Sequence, residues 1–489
     1  MQARRDWRTW ALVLACVLPF VGFWATGLTD LDEGFYSAVV TDMMRRGDWI
    51  TPTINGEPWF EKPILLYWLA IPSVEMFGVD FGPRLPAVLC TLATAFVLFR
   101  FVRRHFDLGL ARLVAAGYCG SLIVLGLGRM MMTDAPFVLA LTVAFTTFWE
   151  SINGNQKMRT WTAVALGFAM LAKGPVAGLF FLLTAGFVYW RLKELRPNFK
   201  GHWLLGIALF FVIVGAWYVP CYLANGDVFV QKFLIEQNIG RFQGGDKAHA
   251  VPVWSHPIYF PAVLFLGLMP WSWWALRAKW FEWPTDPLRR YFWIWGLIPL
   301  VFFTVSKTKL PHYILPAVAP LLVVTLLAVV ERREEQGQHD FWLKMSVAWS
   351  LIIGGFATLV FQTDYQNRFE EVHKIARYVS EQEGKAVIFR TGRENSDVSI
   401  SLNINESPPL SALIYLQKEA ILTDDVAEAV TLDGDLWLIT RADRFDDDVK
   451  YDFILSGYML TEVDLPFKTK KWELWKLDLT KATDLVPND

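Results

Sequence analysis

The chain has 489 residues, of which 54% are hydrophobic and only 19% charged, and it carries 24 tryptophans. That balance excludes an ordinary soluble globule. The net charge of −2 gives no basic surface for a nucleic acid.

Apolar runs long enough to cross roughly 30 Å of hydrocarbon recur along the first three quarters of the chain. They cover 9–28, 85–102, 108–127, 135–150, 174–190, 203–223, 259–276, 291–305, 312–330 and 342–361, with a shorter run at 161–172. The pattern predicts a polytopic α-helical membrane protein with about 11–13 transmembrane helices. Residues 9–28 have the basic flank of a signal peptide but no small-residue cleavage site, and are read as a retained first helix. Arg4, Arg5 and Arg8 precede that helix, and further arginines and lysines fall in alternate loops. The positive-inside rule puts these and the N-terminus in the cytoplasm. With an odd number of spans, residues 30–84, 128–134, 224–258, 306–311 and the tail are expected on the outer face.

Residues 1–361 are therefore read as the membrane domain and 362–489 as a small extracytoplasmic α/β domain. The tail shows strand-length runs, KAVIF (385–389), DLWLIT (435–440) and WELWKL (472–477), and a helical pattern in FEEVHKIARYVSEQ. It holds 25 acidic and 15 basic side chains, a further argument against nucleic acid. Its acid clusters, Asp424–Asp425 and Asp446–Asp448, read as solvated turns. The four cysteines, Cys16, Cys90, Cys119 and Cys221, lie in or beside apolar runs and are expected as buried thiols.

The chemistry-bearing residues gather in the outer loops. In the first, 30–84, Asp32 and Glu33 follow the first span at once, either capping a helix or acting on substrate. Glu61-Lys62-Pro63 stands beside Trp49, Trp59, Phe60, Tyr67 and Trp68, which are expected to lie along the membrane face. Lys62 reads as an anion ligand or a snorkelling anchor. Arg129 and Asp134 bracket RMMMTDAP, where Asp134 can also cap the next helix. The loop 224–258 carries Arg241, His249 and His256 around a Gly-Gly pair, and Lys173, Lys307 and Lys309 end apolar runs beside prolines. Cations that neutralise a departing phosphate, with carboxylates able to orient or deprotonate an acceptor, suit a substrate that is both lipid and phosphate.

The loop pattern resembles the membrane-embedded GT-C type glycosyltransferases, in the branch of the lipid A aminoarabinose transferases and the protein O-mannosyltransferases (glycosyltransferase family 39/83-like). It rests on Asp32-Glu33, Tyr36, Met44, Gly47-Asp48-Trp49, Pro52, Asn55-Gly56, Pro58, Phe60-Glu61-Lys62-Pro63, Leu65, Tyr67 and Trp68. RMMMTDAP, LAKGP, EQNIGRF and SKTKLPHYILP continue it in the same order. The resemblance implies a GT-C fold and inverting transfer from a polyprenyl-phosphate sugar, of aminoarabinose or mannose type, to a lipid, polymer or protein acceptor outside the plasma membrane. It assigns Asp32 as the catalytic carboxylate, with Glu33 and Asp134 in support. Lys62 and Arg241 hold the lipid phosphate; Arg129, Lys173, Lys307, Lys309, Tyr36, Tyr67 and Tyr313 complete the substrate-binding set. Glu61 with His249, or else His256, would hold a divalent metal (Zn, Mg or Mn). One position departs: Gln237 stands where the aminoarabinose enzymes show histidine. A lipid-linked sugar transporter and a non-catalytic envelope-assembly protein are the competing readings; the sequence shows neither the repeat symmetry nor the broken midplane helices expected of the first, and the second has no need of the acids.

Overall fold

The computed structural model describes residues 7–29, 32–195, 203–240, 255–276, 284–331, 338–361, 364–389, 409–432 and 434–479. The chain divides into two compact units. The first holds Met1–Phe23, Phe60–Ala70 and Arg84–Leu359; the second holds Trp24–Trp59, Ile71–Pro83 and Val360–Asp489. The tail thus forms one unit with most of the first long loop, residues 30–84, which the sequence groups with the spans.

Most of the expected spans fall on helices of the first unit, but only the first half of 9–28 does: its α-helix ends at Val17, and residues 21–28 form turns and irregular chain. The helices are α1 (Trp7–Val17), α4 (Leu85–His105), α5 (Leu108–Gly120), α6 (Leu122–Leu127), α7 (Asp134–Ile152), α8 (Met158–Lys173), α9 (Val176–Arg191), α10 (Leu204–Phe229), α11 (His256–Gly267), α12 (Trp271–Ala275), α13 (Pro287–Val305), α14 (Leu315–Glu331) and α15 (Gln338–Phe361). Among the described residues five helical stretches are long and apolar enough to cross a membrane: Leu85–His105, Asp134–Ile152, Leu204–Asn238, Pro287–Val305 and Pro311–Glu331. Two further expected spans are broken. The run 108–127 parts at Ser121, whose backbone is extended and whose hydroxyl donates to the Gly117 carbonyl at 2.7 Å. The run 259–276 parts between α11 and α12. Breaks of this kind are tolerated at membrane depth where protein covers the freed backbone groups.

The buried axis of this unit is α7 and α14, which are almost wholly covered by their neighbours. Aromatic packing fixes it: Phe145 lies 4.9 Å from Trp295, and the Tyr291 hydroxyl donates to the Phe145 carbonyl at 2.6 Å. Beyond α10 the chain winds on as a π-helix, Val230–Gly240. Its Phe233 stacks on Phe229 at 5.3 Å, and Trp217 packs edge-on to both.

The second unit contains α2 (Asp32–Arg46), a two-stranded hairpin of β1 (Thr53–Ile54) and β2 (Glu57–Pro58), and the end of α3 (Leu65–Phe81), whose beginning lies in the first unit. The tail adds α16 (Asp364–Ser380), α17 (Ala412–Leu416), α18 (Val426–Ala429) and α19 (Asp447–Leu455) to a five-stranded sheet. Its strands are β3 (Lys385–Phe389), β4 (Ala420–Thr423), β5 (Leu436–Arg441), β6 (Tyr458–Glu462) and β7 (Trp472–Leu479), in the order β4-β3-β5-β7-β6. β3 is parallel to β4 and β5; β7 is antiparallel to β5 and β6. Val387, Phe389, Leu436, Leu438, Phe453 and Leu477 form its core.

Local chemistry explains the loop's shape. Asp42, 5% exposed, pairs with Arg45 and accepts from the Thr53 hydroxyl at 2.5 Å and the Gly56 amide at 3.0 Å. Asn55 and Gly56 take φ of 52° and 79°, as a tight hairpin turn with both central residues left-handed demands. Asp48 accepts from the Ile50 and Thr51 amides at 2.8 and 3.1 Å, a turn formed by its own side chain. The Asn55 amide then donates to the Leu422 carbonyl at 2.9 Å and the Tyr415 hydroxyl accepts from the Leu28 amide at 3.0 Å, tying loop to tail.

Candidate functional site

The first unit contains a charged pocket of about 120 Å³. Glu61 and Lys62 reach it from the entry to α3, Lys173 from the end of α8, and Gln237 and Asn238 from the π-helix. Ser306, Thr308 and Tyr313 close it from the turn between α13 and α14. Lys173 forms a buried ion pair with Asp134, their side chains 10% and 3% exposed. Its ammonium lies 5.4 Å from the centre of the Tyr313 ring and 5.6 Å from that of Phe137, so ring faces shield the pair. Asp134 opens α7, where it engages a lysine rather than capping its own helix. Gln237 Oε1 is buried at the pocket wall with no hydrogen-bond partner among the described residues.

An apolar groove of about 480 Å³ runs between α9 and α13, lined by Leu183, Phe187, Leu297, Val301 and Val305 among others. Phe302 lines both this groove and the charged pocket.

Other expected site residues have different surroundings. Lys309 is 2% exposed and donates to the carbonyls of Phe303 at 2.7 Å, Thr304 at 2.6 Å and Ser306, so its three protons close the C-terminal end of α13. That is a helix-capping role rather than a substrate contact. Lys307 beside it is exposed. Arg129 is buried and donates to the Val21 carbonyl at 3.3 Å. Arg84, which the sequence reading passed over, is also buried and donates to the Phe23 carbonyl at 2.9 Å. Burial, with the Arg84 charge nearby, pushes Arg129 down to about 10. An arginine at the very start of an apolar span, 85–102, was the available signal for Arg84. Tyr67 is wholly buried.

The loop aromatics do not all lie along a membrane face. Trp49 is 44% exposed, whereas Phe60 and Tyr67 are buried and Phe60 packs edge-on to Phe229 at 5.2 Å. Trp59 stacks on Phe35 at 5.0 Å.

In the second unit Asp32 and Glu33 form the first turn of α2. Glu33, fully buried, accepts from the Thr29 amide at 3.0 Å and the Thr29 hydroxyl at 2.8 Å, which fixes the chain entering the helix. Asp32 is half-buried, and the buried Tyr36 hydroxyl donates to it at 3.4 Å. Of the two acids, Asp32 is the one open to a ligand.

Arg241 and His249 lie outside the described residues. His256 begins α11 and is half-buried. Among the described residues no group of three or more His, Cys, Asp or Glu side chains is placed to hold a metal ion. Of the two expected ligands among the described residues, Glu61 lines the pocket and His256 does not.

Residues 61–218 match the family described as dolichyl-phosphate-mannose-protein mannosyltransferase. The chain is 31% identical over 328 residues to an undecaprenyl phosphate-alpha-4-amino-4-deoxy-L-arabinose arabinosyl transferase of Shewanella sediminis, covering 64% of this chain and 58% of that one. With the enzyme of the same name from Pseudomonas paraeruginosa it shares 29% over 340 residues, 66% of this chain and 60% of the relative. The match thus spans less than two thirds of these relatives' length. Its fold is that of ArnT from Cupriavidus metallidurans bound to undecaprenyl phosphate: TM-score 0.73 at 17% identity, over 98% of this chain and 99% of the other. Archaeal oligosaccharyltransferase AglB from Archaeoglobus fulgidus, in complex with an inhibitory peptide and a dolichol-phosphate, superposes with TM-score 0.54 at 11% identity, over 100% of this chain and 76% of that one. In sequence and in fold the chain is a multi-pass protein of a bacterial inner membrane, related to the aminoarabinose and mannosyl transferases and built on their GT-C architecture.

Proposed function

We propose that the protein is an inverting glycosyltransferase that moves a sugar from a polyprenyl phosphate to an envelope acceptor at the outer face of the inner membrane. On this reading the N-terminus is cytoplasmic and the C-terminal domain extracytoplasmic. The observation that carries it is the charged pocket with Lys62 and Lys173 in its wall, meeting an apolar groove at Phe302. A polyprenyl phosphate needs both environments. Its isoprenoid chain suits the groove, and its phosphate needs the cations, which stabilise the charge that grows as the sugar leaves. The bond between anomeric carbon and phosphate oxygen breaks with its electron pair on the phosphate, while the acceptor oxygen attacks from the opposite face. Asp32 is the carboxylate assigned to the acceptor. It takes the proton of an alcohol; an acceptor that is itself a phosphate is already ionised, and Asp32 then orients it or stabilises charge developing on the sugar.

A divalent metal at Glu61 and His249 stays part of the reading, and when bound would supply positive charge beside the leaving phosphate. No step above depends on it.

The test is release of polyprenyl phosphate from a panel of polyprenyl-phosphate sugars, by the purified protein supplied with an extract of bacterial envelope lipids and polymers. Wild-type turnover should fall by about 10²–10⁴ in Asp32→Asn, the usual worth of a positioned acid or base, while lipid binding is retained. Full activity in the variant removes Asp32 from the chemistry. Lipid binding without turnover across the panel favours transport or assembly.

A further inference from the structure

The chain that leads into Asp32 is held by side chains of the tail, all within the second unit. His373 on α16, Ser411 just before α17 and Tyr415 on α17 are buried. His373 Nε2 and the Ser411 hydroxyl share a hydrogen bond at 2.7 Å, and the His373 and Tyr415 rings lie 4.4 Å apart. The Arg377 guanidinium stands 4.5 Å from the centre of the Tyr415 ring and pairs with Asp80 near the end of α3. Both rings are thus fixed by neighbours of their own unit before they meet the loop.

What the rings meet is the segment 27–29. The Leu28 amide donates to the Tyr415 hydroxyl at 3.0 Å. Gly27 lies so close to His373 that a Cβ there would stand 2.5 Å from Nδ1 and 3.0 Å from Cε1, inside van der Waals contact. The ring could give way only by leaving Ser411, so the close approach requires glycine. Thr29 comes next, and its amide and hydroxyl are fastened to Glu33 at 3.0 and 2.8 Å. Glu33 is the immediate neighbour of Asp32. A displacement at Leu28 therefore reaches Asp32 through Thr29 and the Glu33 clamp. α17 also packs directly on α2. At the far end of α2 the Arg45 guanidinium donates to the Ala420 carbonyl of β4 at 3.4 Å. The helix that carries Asp32 is held by the tail at both ends.

Such placement matters to a proton acceptor. A carboxylate takes a proton only from within about 2.6–3.2 Å, and a misplacement of about 1 Å can cost roughly a hundredfold in rate. We propose that His373 and Tyr415 are positioning residues: they set the path of 27–29 and through it place Asp32. The tail then takes part in the reaction without itself touching a substrate at these residues. The inference rests on the transferase reading, in which Asp32 acts on the acceptor.

The test measures steady-state release of polyprenyl phosphate by the full chain in detergent. Tyr415→Phe keeps the ring and removes the hydroxyl, and Gly27→Ala keeps the tail and pushes the segment off His373. Each should lower kcat about tenfold or more, while KM for the polyprenyl-phosphate sugar stays within about twofold. On the residual turnover of Asp32→Asn, neither change should lower kcat further by more than about twofold, because the group they place is gone. Phe453→Leu loosens the core of the tail sheet away from this seat. Its kcat should stay within about twofold of wild type, with the stability of every variant followed by urea unfolding. Full kcat in both Tyr415→Phe and Gly27→Ala, losses of undiminished size in the Asp32→Asn background, or an equal loss in Phe453→Leu would each overturn the proposal. Full activity in Asp32→Asn would refute the underlying assignment of Asp32. A crippled Asp32→Asn beside fully active Tyr415→Phe and Gly27→Ala would refute the positioning alone.

Discussion

The Lys173–Asp134 pair is where stability and the proposed chemistry pull in opposite directions. Both groups are buried, and Lys173 also lines the pocket assigned to the phosphate. Removing one partner of a buried pair costs about 3–5 kcal/mol, because the other charge is left without its countercharge. Asp134→Asn and Lys173→Met should therefore each lower unfolding free energy by about that amount. The double variant should lose less than the sum, with a coupling of about 2 kcal/mol or more. Their effects on lipid phosphate should have opposite signs. A carboxylate about 6 Å from a phosphate charge repels it by about 0.7 kcal/mol in a water-like medium and about 2.8 kcal/mol at an effective dielectric of 20. Asp134→Asn should thus tighten polyprenyl phosphate binding by roughly three- to a hundredfold while destabilising the protein. Lys173→Met should weaken both. The assays are urea unfolding in detergent followed by tryptophan fluorescence, and titration with polyprenyl phosphate. Strictly additive stability losses would show that the pair is not coupled. Weaker phosphate binding in Asp134→Asn would refute the placement of the phosphate beside Lys173.

Three further outcomes are expected. Lys309→Met keeps the aliphatic stem but strands three carbonyls at the end of α13; it should cost about 2–4 kcal/mol of stability and change polyprenyl phosphate affinity less than twofold. A tenfold loss of affinity at unchanged stability would return Lys309 to the substrate site. Asp42→Asn weakens the clamp on Thr53 and Gly56 and should cost about 2–4 kcal/mol, read as faster proteolysis at the hairpin; unchanged cleavage would mean that the turn holds itself. For the metal, Glu61→Ala should lower the zinc retained after dialysis, measured by elemental analysis, at least tenfold; equal retention would take Glu61 out of any metal site.

The spans were legible because their signal is crude: a run of apolar residues of the right length reads as a helix whatever packs on it. Their breaks were not. Ser121 interrupts α5 and α6 through one residue's backbone and a hydroxyl bond to Gly117, and no change in hydropathy marks it. In the tail β3, β5 and β7 were readable, since they are hydrophobic and bounded by turns. β4 and β6 lie at the two edges of the sheet. The first has only four residues and the second carries exposed polar ones, so neither repeats an alternating pattern. At the site, sequence named Glu61, Lys62, Lys173 and Tyr313, which share one pocket. It could not separate Lys307, Lys309 and Lys173, three lysines at ends of apolar runs. What separates them is which way the backbone turns, and hence whether a carboxylate or a row of carbonyls is within reach.

The same distinction divides the long loop motif that carries the resemblance. Much of it builds a shape: Gly47 with φ of 64° after α2, the Asp48 turn, the Asn55-Gly56 hairpin, and Glu33 fastening Thr29 to the helix. A smaller set, Asp32, Glu61 and Lys62, carries the ionisable groups assigned to the substrates in the proposed transfer. Residues that only build a scaffold would persist in a relative that bound lipid and catalysed nothing. The pocket and groove support binding of a lipid phosphate; what turns that reading into transfer is Asp32, half-buried and touched by Tyr36 at a long 3.4 Å. A carboxylate needed only to cap α2 would be satisfied by its own amides, as Asp107 is by Leu110 at 2.9 Å in α5. Asp32 makes no such bond to its own helix among the described residues, which leaves its oxygens available to a substrate.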